Sequence, residues 1–230
     1  MKTVGIIGGI GPESTVEYYR KIISSYLQHD QASNYPQIII NSINMTKMLN
    51  LIRKGELEEV AEYLATEVNR LEAAGAEFGA IASNTPHIVF NRICDRAQLP
   101  LISIVEATCQ EVLALGIEKV ALFGTRFTMQ GGFYDEVLTQ KGIEVVSPKD
   151  GDQNFIHEKY MGELVKGIIL DEIKTALVGV AKKMKQRQDI EGLILGGTEL
   201  PLILQPGDVP GVRILDTTEI HVASIIKRLI

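Results

Sequence analysis

The sequence predicts an α/β protein of two similar lobes, each a parallel sheet flanked by helices, with the site in the cleft between them. Three observations carry this. Short apolar runs rich in Val and Ile alternate with helix-period segments along all 230 residues. The runs are continuously apolar rather than alternating, as strands of a parallel sheet covered on both faces must be. A polar loop also occurs twice after such a run: Ser83-Asn84-Thr85-Pro86-His87 follows 78–82, and Gly196-Gly197-Thr198-Glu199-Leu200 follows 192–195. Ligands of open α/β sheets bind at the carboxyl ends of strands, so each lobe is expected to offer one loop to a shared cleft. The pattern restarts near 100–105. Lobe 1 therefore spans 1–103, with 216–230 returning to it, and lobe 2 spans 104–215.

The elements follow in order. Residues 3–7 form a β-branched run closed by Gly8-Gly9-Ile10-Gly11-Pro12. A helix comes next, with Val16, Tyr19, Ile22, Ile23 and Tyr26 at the 3.6 period. Residues 37–40 read as a buried strand ending in Asn41-Ser42, and 45–52 fits either state. Residues 55–74 read as one long helix, with Val60, Leu64, Val68 and Leu71 on a stripe and Gly75 as its stop. Strand 78–82, a helix from 86–93 and strand 100–105 complete lobe 1. Lobe 2 begins with helix 106–115, stopped by Gly116. Strand 119–123 ends in Gly124-Thr125-Arg126, and helix 133–140 and strand 142–146 follow. Helices 156–165 and 172–187 precede strands 192–195 and 212–215. Helix 217–229 closes the chain, with Thr217 or Thr218 as N-cap and Glu219 in its first turn.

Charge and composition exclude several classes. A net charge of −6 without a basic stretch argues against a nucleic-acid partner. No apolar run approaches the roughly 18 to 20 residues of a membrane span. Met1-Lys2-Thr3 leads straight into a strand, so no signal peptide is expected and the cytoplasm is the expected location. Cys94 and Cys109 lie in helix-like segments outside any metal or CxxC spacing, and are expected to be buried reduced thiols. His29, His157 and His221 have no neighbours at ligand spacing, so no metal is expected.

The loops carry the chemistry. Gly8-Gly9-Ile10-Gly11 fails the dinucleotide pattern, because Ile10 with Glu13, or Ser14, stands where GxGxxG needs glycine. Backbone N–H groups at a helix start can instead receive a carboxylate. Ser83, Asn84, Thr85 and Thr198 offer hydroxyls and an amide suited to a small carboxylate or amino acid. Ser83 and Thr198 equally suit helix N-caps, and a cap can also be a ligand. Arg126 is either a ligand cation or half of an ion pair. His87 is a proton carrier or a packed side chain, and Glu199 is a base if partly desolvated.

These motifs, in this order, resemble the aspartate/glutamate racemase family over essentially the whole chain. VGIIGGIGPESTVEYY (4–19) is similar to that family's opening, and SNTPH to its CNT-x-H loop. ALFGTRFTM (121–129) resembles its second-lobe opening, and GGTEL its GCTE loop. PLISIVEAT (100–108) and ILDTTEIHV (214–222) match as well. The resemblance implies a two-lobed homodimer without cofactor or metal. It implies removal of the proton next to a carboxylate and its return on the opposite face, with no membrane or nucleic acid involved.

In the family two cysteines, one per lobe, do this work. Their positions here hold Ser83 and Gly197. A serine hydroxyl is too weak an acid to stand as a base without an activating partner, and glycine carries no group. The usual two-cysteine mechanism is therefore not available, and Glu199, His87 or an activated Ser83 would replace the thiols. The resemblance places Asn84, Thr85, Thr125 and Thr198 near the ligand carboxylate and amine. It places Lys47 and Lys166 where basic residues receive the side-chain carboxylate of aspartate-type substrates; read without it, both lysines are surface charges. The expected function is interconversion of L- and D-aspartate or glutamate. The alternative is a non-catalytic amino-acid or carboxylate binding protein on the same fold.

Overall fold

Residues 2–29 and 34–230 are described in the computed structural model. They form two compact units, Met1–Ala107 with Thr218–Ile230, and Thr108–Thr217. The first contains β1 (Thr3–Gly8), α1 (Pro12–His29), β2 (Gln37–Ser42), α2 (Met45–Lys54), α3 (Leu57–Ala73), β3 (Phe78–Ile81), α4 (Phe90–Cys94) and β4 (Leu101–Ile102). After α5 (Ile104–Ala114) come β5 (Lys119–Gly124), α6 (Arg126–Gln130), α7 (Phe133–Thr139), β6 (Glu144–Val146), α8 (Asp150–Gly162), α9 (Asp171–Gln188), β7 (Gly192–Gly196) and β8 (Arg213–Asp216). Helix α10 (Thr217–Leu229) closes the first unit's core.

Both sheets are wholly parallel and share one plan. Their orders are β2-β1-β3-β4 and β6-β5-β7-β8. In each, the chain leaves the first strand for one neighbour and returns on the other side as the third. The carboxyl ends of β1 and β3, and of β5 and β7, are thus topological switch points, where loops diverge and leave a crevice. Val4 and Ile6 of β1 pack with Tyr18, Ile22 and Tyr26 of α1 and with Val222, Ile225, Ile226 and Leu229 of α10. In the second unit, Phe123, Leu193 and Leu195 pack against Ile156 and Tyr160 of α8 and Leu177, Ala181 and Met184 of α9. Each fully buried side chain of this size contributes about 1.5 to 3 kcal/mol.

Several expectations change. The ambiguous 45–52 is helix α2, because Asn44 Oδ1 accepts the Lys47 N–H at 3.1 Å and one face buries Met48 and Ile52. Gly55 is not inside the next helix. At φ 77° it ends α2, its N–H reaching Ile52 O at 3.0 Å, a left-handed conformation that glycine adopts without a Cβ penalty. The apolar run 100–105 pairs as a strand only at Leu101–Ile102, since Ser103 Oγ accepts the Glu106 N–H at 3.2 Å and starts α5. The segment from 86 is a 3-10 turn, Thr85–Val89, before α4. The helix expected at 156–165 begins earlier, at Asp150, and a separate 3-10 turn, Leu164–Lys166, follows it. Strand β2 is an edge with Ile40 40% exposed, so its apolar run is covered incompletely. Helix α10 begins at Thr217, whose hydroxyl donates to Leu195 O at 2.8 Å.

Both cysteines are free, but Cys94 is exposed rather than buried. Partial desolvation, then the Glu106 and Asp95 carboxylates, push its thiol up, away from the reactive thiolate. Among the described residues no helix is long and apolar enough to cross a membrane, and no cluster of three His, Cys, Asp or Glu could hold a metal.

Candidate functional site

In the first unit, the loop leaves β3 beside β1: Ala82 N–H donates to Ile7 O at 2.9 Å. Ser83 N–H then turns back to Ile81 O at 2.8 Å, and His87 N–H donates to Asn84 O at 3.0 Å. Ser83 is half-buried, and Asn84 and Thr85 are buried. The N-cap position of the 3-10 turn falls on Asn84 rather than on Ser83, and the Asn84 side chain makes no capping bond there.

His87 is held as a structural bolt. Its ring is buried and stacks on Phe90 with centroids 4.7 Å apart. Nδ1 lies 3.1 Å from Ser83 O, and Nε2 accepts the Ile104 N–H at 3.3 Å. A carbonyl requires Nδ1–H and an N–H requires a bare Nε2, so one neutral tautomer satisfies both partners. Burial, and then the neighbouring His221, lower its pKa to about 3. His221 is held alike. Its Nε2–H donates to Ile102 O at 3.0 Å, and Nδ1 accepts the Tyr18 hydroxyl at 2.8 Å. Burial brings it to about 4.

The glycine-rich turn after β1 is partly satisfied from within, since Gly9 N–H donates to Thr15 Oγ1 at 2.8 Å. That N–H is not held out for an anion. Lys47 Nζ sits 4.2 Å above the Tyr63 ring, beside a groove of about 350 Å³ also lined by Glu59, Glu62, Glu67 and Arg70. The three glutamates make these surroundings unfavourable for a carboxylate. Lys166 is exposed at the end of its 3-10 turn.

In the second unit, the loops after β5 and β7 start side by side, with Gly124 paired to Gly196. Thr125 caps α6: its Oγ1 accepts the Thr128 N–H at 3.2 Å and lies 3.1 Å from Thr128 Oγ1. Arg126 is exposed and finds an amide rather than a carboxylate. Its Nη2 donates to Asn154 Oδ1 at 2.9 Å, and its backbone N–H donates to His157 Nδ1 at 3.2 Å, both on α8.

The β7 loop folds into a 3-10 turn, Leu200–Leu202, and buries Glu199. Glu199 Oε2 accepts the Thr198 hydroxyl at 2.8 Å and the Tyr160 hydroxyl from α8 in a short bond. Thr198 thus donates its hydroxyl proton to the carboxylate. Burial, the Glu199 charge and the bond donated to it push the Tyr160 phenol well above its ordinary range. Hydrogen bonds from the Thr198 side chain and the Glu199 backbone oppose this without reversing it. At Gly197, a Cβ would fall 2.5 Å from Tyr160 Cε2 and 2.7 Å from its hydroxyl oxygen. Such contacts lie well inside van der Waals distance, so the phenol stands where a residue 197 side chain would begin. Tyr160 escaped the sequence reading, which left it unremarked inside the helix expected at 156–165; no spacing links it to Gly197.

Residues 7–225 match the family model described as Asp/Glu/Hydantoin racemase. The chain belongs to this racemase family. It is 30% identical over 158 residues to the broad specificity amino-acid racemase RacX of Bacillus subtilis (strain 168), covering 67% of this chain and 68% of that one. A Yersinia pestis crystal structure, solved as a candidate Asp/Glu racemase, is similar along its length. Its TM-score is 0.92 at 36% identity, over 100% of this chain and 99% of that chain. An aspartate racemase homologue from Pyrococcus horikoshii OT3 gives a TM-score of 0.86 at 38% identity, over 100% and 99%. Membership and these neighbours support an amino-acid racemase-like function. The two parallel sheets flanked by helices are the racemase architecture expected from the sequence.

Proposed function

We propose that this racemase-family protein interconverts L- and D-aspartate or glutamate by removing and returning the Cα proton, using groups other than two thiols. The observation that carries the reading is the placement of polar groups at the switch point of each sheet. Ser83, Asn84 and Thr85 follow β3, while Thr125, Thr198 and Glu199 follow β5 and β7. Hydroxyls, an amide and loop N–H groups suit the carboxylate and amine of an amino acid. Acidic substrates are favoured because the similar structures are a candidate Asp/Glu racemase and an aspartate racemase homologue, and Lys166 is the proposed receiver of their side-chain carboxylate. Lys47 is the weaker choice, because its ammonium rests on Tyr63 among glutamates. No cofactor is invoked: the proposal asks a positioned acid–base group to act directly on the Cα–H.

The test is Cα proton exchange. The protein, dialysed against EDTA and without added pyridoxal phosphate, is incubated with L- or D-aspartate and glutamate in deuterated water. Loss of the Cα signal by NMR, together with appearance of the other enantiomer on chiral chromatography, is the expected result. Absence of exchange across a panel of amino acids, with a ligand-dependent rise in melting temperature, would instead identify a binding protein.

A further inference from the structure

We propose that Tyr160 and Glu199 together take over, in the second unit, the proton-handling position left without a side chain at Gly197. The inference deepens the racemase reading and rests on it. Three facts about the β7 loop converge. The missing Cβ of residue 197 would lie 2.7 Å from the Tyr160 hydroxyl oxygen, so the phenol oxygen stands about where that side chain's own atoms would have been. The hydroxyl donates to Glu199 Oε2, a buried carboxylate that also accepts the Thr198 hydroxyl at 2.8 Å. The described salt bridges include none to Glu199, so its charge is met by hydroxyl donors. An inert filler needs no such wiring; a phenylalanine would occupy the same space.

The arrangement defines a proton path that balances. As the substrate Cα–H bond breaks, its proton joins the Tyr160 oxygen while the phenol's own proton passes to Glu199 Oε2. The C–H electron pair stays on Cα, adjacent to the substrate carboxylate, and Glu199 ends as a carboxylic acid. The reverse sequence returns a proton to Cα and restores the Glu199 carboxylate. Tyr160 never stands free as phenolate, which its tightly held proton would forbid. Tyr160 is thus the group that meets the substrate, and Glu199 is the base that acts through it.

The parent and the Tyr160→Phe, Glu199→Gln and Gly197→Ala variants are compared by exchange in deuterated water, with circular dichroism and melting temperature as checks on folding. In Tyr160→Phe the ring still fills its space, and kcat is expected to fall by about a hundredfold or more with KM little changed. Glu199→Gln is expected to lose kcat to a similar extent, again with KM retained, a split that a merely structural role would not produce. Gly197→Ala pushes a methyl group into the phenol and is expected to lower both kcat and the melting temperature. An active parent whose Tyr160→Phe or Glu199→Gln variant keeps its rate overturns this inference alone. A Gly197→Ala variant unchanged in both readouts overturns it too, by showing that the phenol does not occupy the position. A parent with no exchange sinks the racemase reading, and the proton path with it.

Discussion

The loops after β3 and β7 occupy equivalent places in two sheets of one strand order, yet they are held in opposite ways. The first is bolted by His87, whose two ring nitrogens are both engaged by the backbone. The second adds to its 3-10 turn a side-chain cluster, Tyr160 and Thr198 on Glu199. A backbone-satisfied imidazole in one neutral tautomer gives rigidity, with its one ring N–H held by the Ser83 carbonyl. A carboxylate met by hydroxyls gives less rigidity and leaves protons that can move. On the proposal above, similar strand-end loops divide the work between shape and chemistry.

Removing the bolt sharpens this contrast most. His87→Ala strands the Ile104 N–H and the Ser83 carbonyl and leaves a void beside Phe90. It is expected to cost about 3 to 4 kcal/mol in urea unfolding, whereas Tyr160→Phe, which keeps the ring and removes one donor from Glu199, should cost about 1 to 2 kcal/mol. Equal losses in the two variants would erase the distinction.

Acid comes next. An unfolded histidine takes up a proton below about pH 6.5, but folded His87 resists to about 3 and His221 to about 4. Between those values the unfolded state binds more protons. Stability is thus complete above the unfolded pKa and is lost as pH falls toward the folded ones. From pH 7 to 5 each histidine is expected to remove about 2 kcal/mol. Urea titrations at the two pH values read this directly, and His221→Gln should flatten the slope. A parent equally stable at both would show that these rings are not held neutral.

The smallest effect belongs to the second unit's turn. Thr125→Ala removes the α6 cap and is expected to cost about 1 kcal/mol. A Thr125→Ser variant, which keeps the hydroxyl, should recover most of it. Failure to recover would assign the loss to the methyl group and not to the cap.

Much of this was legible in the sequence because period and punctuation are local. Continuous apolar runs gave the parallel strands of both sheets their approximate places, and the paired polar motifs marked the strand ends. The misreadings have local causes too. Residues 100–105 form an apolar, β-branched run that periodicity cannot assign; a single serine cap, Ser103, decides for helix from Ile104. Gly55 looked like part of a helix until its left-handed φ made it a stop. His87 invited a catalytic role because its residue type titrates near neutrality, and only its burial and partners reveal that it does not do so here. Tyr160 was illegible for a different reason. It lies 37 positions before Gly197, and only the packing of α8 under the end of β7 brings them together.

The return of α10 to the first sheet has a consequence for biosynthesis. Tyr18, Ile22 and Tyr26 leave the ribosome early, but their partners Val222, Ile225, Ile226 and Leu229 follow the whole second unit. The first unit must wait with its core open, while the second, one unbroken segment, can close as soon as it emerges. The part translated first is completed last, and until then a chaperone has an apolar surface to hold.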